Sequence, residues 1–117
     1  MSEPILTYRE QGTICVARAE VAQLMHPEEV MGLSREFRRH IAGNPCRGYV
    51  LDLSGLTYMT SAALGMLINM HAHLRADGRK FAIVVGEGLI ANIFEQTHLD
   101  EVFPVTVDLE GAVKAIS

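Results

Sequence analysis

No apolar run in this sequence approaches the roughly 20 residues a helix needs to cross a bilayer. Direct membrane insertion is therefore not expected. The opening residues Met1-Ser2-Glu3-Pro4 lack the basic and apolar regions of a secretory signal, so the chain is expected to be cytoplasmic. Cysteine is scarce. Cys15 and Cys46 are the only two, and in that compartment they read as free thiols. Basic charge is not in excess: 10 Lys and Arg stand against 14 Asp and Glu, a net charge of −4. That balance argues against a general nucleic-acid-binding role. Metal-ligand spacing is also missing. His71 and His73, two apart on a predicted helix, point to different sides. His71 instead reads as a core-facing histidine with a local partner. No GxSxG elbow, Walker loop or full GxGxxG pattern occurs. No catalytic residue, metal or cofactor is expected, and the chain does not read as an enzyme.

What is present is an ordinary globular composition, 49% hydrophobic and 21% charged over 117 residues. That length suits one domain, residues 1–117. Ile5 to Arg9 and Thr13 to Ala17 read as an antiparallel hairpin across Glu10-Gln11-Gly12. Val21 to Met25 is apolar but irregular and is left unassigned. Pro27, Glu28 and Glu29 suit the first turn of a helix. Val30, Leu33, Phe37 and Ile41 then recur as one apolar stripe, and Gly43-Asn44-Pro45 ends it. Arg35, Arg38, Arg39 and His40 gather toward the far end. They read either as a solvated end matched to the helix dipole or as a docking patch for an acidic partner.

Phe81 to Val85 is a fully apolar strand of the parallel type, starting from Lys80. Gly86-Glu87-Gly88 leads from it into a helix with Leu89, Ile90, Ile93 and Phe94 apolar. Such a loop can cradle phosphate, though the fuller motifs are missing. Leu99 to Val107 is expected to hold a short edge strand interrupted at Pro104. Asp108 should cap a last helix through Ile116. Strands alternating with helices predict an α/β fold: a mixed, mostly parallel sheet of about five strands packed with about four helices.

The most informative stretch is Val50 to Gly65. Val50, Leu51 and Leu53 form a buried strand, Ser54-Gly55 a turn, and good helix formers follow from Ala62. Asp52 ends the strand. Its expected role is to hold the Ser54–Met59 loop by accepting backbone hydrogen bonds. Thr60 suits the N-cap of a helix running from Ser61 to about Ala76, closed by Asp77-Gly78. At 100° per residue, Leu64, Leu67, Ile68, His71 and Leu74 should face the core. Ser61, Ala62, Gly65, Asn69 and His73 should face out, flanked by Met66 and Met70. That strip is small and weakly polar. It carries no Lys, Arg, Asp or Glu between Thr60 and Leu74. It reads either as a plain solvent face or as an interaction surface, for which small residues and methionine are suited.

This stretch resembles the signature of the STAS domain, named for sulfate transporters and anti-sigma factor antagonists. In stand-alone antagonists an apolar strand ending in Asp-Leu leads through a short loop to Asp-Ser-Ser-Gly-Leu-Gly. Here those six positions read Thr60-Ser61-Ala62-Ala63-Leu64-Gly65. Leu64 and Gly65 match. Thr60 replaces Asp, Ala62 the second Ser and Ala63 the Gly. The resemblance extends over almost the whole chain. It implies the STAS fold with an N-terminal β-hairpin, and a non-catalytic bacterial regulator of transcription that works by partner switching. Ser61 falls on the phosphorylated serine, with Thr60 the alternative acceptor. The implied partners are an anti-sigma factor with serine-kinase activity, to which any ATP would belong, and a protein phosphatase. The expected partner-binding residues are Thr60, Ser61, Ala62, Gly65, Met66, Asn69 and His73. One alternative is a STAS scaffold subunit of another assembly, such as a lipid-transport ATPase complex or a stress-signalling particle. Another is a small nucleotide-binding protein using Gly86-Glu87-Gly88.

Overall fold

The computed structural model describes residues 5–117; the expectation drawn from residues 1–4 lies outside them. In chain order the elements are β1 (Leu6–Gln11), β2 (Ile14–Ala19), β3 (Gln23–Leu24), α1 (Pro27–Gly43), β4 (Gly48–Leu53), β5 (Tyr58–Met59), α2 (Ser61–Ala76), β6 (Lys80–Val85), α3 (Leu89–Gln96), β7 (Val105–Thr106) and α4 (Leu109–Ala115). A five-stranded sheet runs in the order β1-β2-β4-β6-β7, and β3 and β5 form a separate two-stranded ribbon. β1 and β2 are the antiparallel hairpin; β2–β4, β4–β6 and β6–β7 are parallel.

Alternation along the strands decides which face each side chain serves. Cys15, Ala17 and Ala19 of β2, Tyr49, Leu51 and Leu53 of β4, and Phe81, Ile83 and Val85 of β6 enter the larger core with α1, α2 and α3. Ile14, Val16, Val50, Ala82 and Val84 point the other way and meet Ala112 and Ile116 at the C-terminal end. The strand order moves one way across the sheet from β2 to β7. Right-handed crossovers therefore place α1, α2 and α3 side by side on one face, and leave the other to α4.

The helix at Pro27 opens as expected. The Glu29 side chain accepts from the His26 amide at 3.1 Å, and Val30, Leu33, Phe37 and Ile41 are buried. His40 is not part of a surface patch. It is half-buried, stacked on Tyr8 with centroids 3.7 Å apart, and its Nδ1 lies 3.1 Å from the Tyr49 hydroxyl. Desolvation lowers the His40 pKa and raises that of Tyr49, which is fully buried. Cys15 and Cys46 are buried free thiols. Burial, with Cys46 beside it, pushes the Cys15 thiol up to about 12, so Cys15 is a poor nucleophile near neutral pH.

Three expectations are corrected. Leu99–Glu101 is a 3-10 turn, and the edge strand begins only after Pro104, whose carbonyl accepts from the Ile83 amide at 2.9 Å. Ile68 is not in the core: it is 41% exposed, while Met66 and Met70 are buried. α2 is apolar nearly all round, so periodicity alone could not fix its rotation. Packing beside α1 turned its buried side toward Ala63, Met66 and Met70. His71 sits between Phe81 and Phe103, and its buried Nδ1 has no hydrogen-bond partner among the described residues, where a local partner was expected.

Candidate partner-binding site

The loops that lead into α1 and α2 are laced together. β3 and β5 pair in parallel, Gln23 with Tyr58 and Leu24 with Met59. The Thr57 amide and hydroxyl both donate to the Ala22 carbonyl, at 2.7 and 3.0 Å, and the Thr60 amide donates to the Leu24 carbonyl at 3.1 Å. Leu24 and Met59 are buried beneath this ribbon. The N-termini of the two helices are thereby fixed at the same end of the sheet.

Thr60 is the N-cap of α2, and its hydroxyl accepts from the Ala63 amide at 3.4 Å. Ser61 is the first helical residue and is exposed. The first turn of α2 contains no acidic residue, so its unpaired N–H groups and the positive end of the dipole are not neutralised by a carboxylate from within that turn.

Ala62, Gly65, Met66 and Asn69 form one wall of an open groove of about 570 Å³, and Val30, Met31, Ser34, Arg35 and Arg38 of α1 form the other. Of the expected partner-binding residues, the groove brings together Ala62, Gly65, Met66 and Asn69. Ser61 stands exposed at the head of the same helix. His73 is exposed one turn beyond Asn69, outside the groove lining. Thr60 is half-buried as a cap, and Met66 is a buried part of the floor, only 6% exposed. The α1 wall escaped the reading of α2 by itself. The signal for it was the topology: consecutive right-handed crossovers put α1 beside α2, which carries Arg35 and Arg38 to the small-residue strip. At the same end of the sheet, Met25 and Tyr58 are each 42% exposed beside the ribbon.

A family model for the STAS domain matches residues 2–112. The chain belongs to the STAS domain family. Among solved structures, an anti-sigma factor antagonist from Mycobacterium paratuberculosis is similar at a TM-score of 0.82 and 20% identity, covering 99% of this chain and 98% of that one. A Thermotoga maritima protein provisionally assigned as an anti-sigma factor antagonist is similar at 0.81 and 15% identity, covering 95% of this chain and 93% of that one. The anti-sigma factor antagonist SpoIIAA in its unphosphorylated form is similar at 0.66 and 15% identity, covering 93% and 94%. These likenesses confirm the STAS fold: a mixed, mostly parallel five-stranded sheet with four helices.

In this STAS domain Asp52 lies near the end of β4, two residues before Ser54. Its Oδ1 accepts from the Ser54 amide at 2.9 Å and its Oδ2 from Arg18 at 3.2 Å. The glycine loop after β6 has a packing role of its own. A Cβ on Gly86 would come within 3.0 Å of the Ser54 carbonyl oxygen, and Gly88 caps α3 with φ +112°, a conformation open to glycine. Close packing and capping account for both glycines without a phosphate. Among the described residues no cluster of three metal-ligating side chains occurs, and no helix is long and apolar enough to cross a membrane.

Proposed function

We propose that this STAS domain is a non-catalytic anti-sigma factor antagonist that works in the cytoplasm by partner switching. The exposed face around Ser61 and the α1–α2 groove binds an anti-sigma factor of the serine-kinase type, and phosphorylation of Ser61 releases it. A phosphatase restores the binding form. The observation that carries this reading is the state of the two hydroxyls at the head of α2. The Thr60 hydroxyl is engaged with the Ala63 amide, while Ser61 is exposed next to the groove. This favours Ser61 over Thr60 as acceptor. The likeness to the Mycobacterium paratuberculosis antagonist and to SpoIIAA supports the partner class.

A phosphoserine carries about −1.5 to −2 charge at pH 7. At a helix N-terminus an anion gains typically about 0.3–1 kcal/mol, so the fold tolerates the modification and its effect falls on the surface the partner meets. ATP belongs to the partner. The test is incubation with a serine-kinase-type anti-sigma factor and ATP, followed by mass spectrometry. Phosphate at Ser61, lost in Ser61→Ala, supports the reading. If neither Ser61 nor Thr60 is modified, and a pull-down recovers a membrane ATPase instead, the scaffold role replaces it.

A further inference from the structure

Resting on the partner-switching reading above, we propose that the α1–α2 groove receives an acidic amphipathic segment of the partner. Its apolar side would lie on the Val30 and Met66 floor, and its carboxylates would meet Arg35 and Arg38. Charge is the first ground. The chain carries a net charge of −4, yet among the described residues two arginines and no carboxylate line this groove. Among the described residues neither Arg35 nor Arg38 is in an ion pair or a side-chain hydrogen bond, whereas Arg18 and Arg79 both have acidic partners. Of the three acids on α1, Glu28 does not line the groove, and the other two are engaged elsewhere. Glu36 accepts from the Ile5 amide at 3.0 and 3.1 Å, and Glu29 accepts from the His26 amide. Two unpaired guanidinium groups on one rim are suited to carboxylates, which they can bind bidentately.

Shape is the second ground. The groove is open to solvent rather than enclosed, so it fits a segment of chain better than a small molecule. A Cβ placed on Gly65 would have no atom within 4 Å, so a partner backbone can approach α2 closely there. Met31 lines the α1 side and is 59% exposed, an adaptable apolar contact for the same segment. An apolar groove with a charged rim is the complement of a helix with apolar anchors at i, i+3 and i+7 and acidic flanks. Phosphate on Ser61, one residue before the groove-lining Ala62, brings onto this surface the same sign of charge as the segment and opposes its binding.

The test titrates a serine-kinase-type anti-sigma factor from the same genome against wild type, Ala62→Arg and the double variant Arg35→Glu/Arg38→Glu, at several salt concentrations. Both arginines are exposed, so the double variant should melt with wild type. It should bind at least tenfold more weakly at low salt, with a flatter salt dependence. Replacing acidic residues of the partner's segment by Lys should restore its binding. If the double variant binds like wild type with the same salt dependence while Ala62→Arg loses binding, the acidic-segment inference fails and the partner-switching reading stands. If wild type does not bind the anti-sigma factor at all, both fail. A wild-type dimer in sedimentation that the double variant splits would assign the groove to a second copy and also overturn the inference.

Discussion

Thr57 and Ala22 are 35 residues apart, and the Thr57 amide and hydroxyl both donate to the Ala22 carbonyl. This contact joins the loop before α2 to the loop before α1, and so ties the start of α2, where Ser61 is exposed, to the start of α1. Thr57→Val keeps the amide bond and removes the hydroxyl bond. The expected cost is about 0.5–1.5 kcal/mol of stability, read by urea denaturation. Amide-exchange protection should fall first at Leu24, Thr57 and Thr60. Uniform loss of protection across the domain would mean that the ribbon is not a local brace.

The rotation of α2 makes opposite forecasts for two neighbouring apolar residues. Met70 is 1% exposed and Ile68 is 41% exposed. Met70→Ala should cost about 2–5 kcal/mol. Ile68→Lys should change stability by about 0.5 kcal/mol or less, as surface substitutions do. Thermal melting of the two variants checks this; an unfolded Ile68→Lys would restore the orientation that periodicity suggested.

Where the chain punctuates itself, the sequence was legible residue by residue. Thr60 and Asp77-Gly78 bounded α2 correctly, and Lys80 to Val85 proved to be β6. The β3–β5 ribbon was not legible, because two-residue strands carry no periodicity and their pairing joins distant segments. The exposure of Ile68 was missed because nearly every position of α2 between Ala62 and Leu74 is small or apolar, so only the packing of α1 chooses a face. The groove needed both helices. From sequence Arg35 and Arg38 read either as the solvated end of α1 or as a docking patch, and only the topology set them opposite Gly65 and Asn69.

Acid should weaken the fold through His71. Desolvation, and secondarily the Arg75 charge, lower its pKa from 6.5. The unfolded chain therefore takes up the proton at a higher pH than the folded one. Stability is full above pH 6.5 and falls as pH drops below it, levelling once the folded state is also protonated. His40, lowered by its own burial, contributes with the same sign. His71→Phe keeps the ring contacts with Phe81 and Phe103 and removes the titration. Its melting temperature should fall less than that of wild type between pH 7 and 5. Parallel pH profiles for the two proteins would show that His71 is not a source of the acid sensitivity.

The central claim is that charge at Ser61 switches partner binding off while the domain stays folded. Calorimetric titration of Ser61→Asp and Ser61→Ala against the serine-kinase-type anti-sigma factor tests it most directly. Ser61→Ala should bind like wild type. Ser61→Asp should melt like wild type and bind about 100-fold more weakly, a loss of roughly 2.7 kcal/mol. Equal affinity of Ser61→Asp and wild type, with no phosphate on Ser61 or Thr60 after incubation with the kinase, would contradict the account.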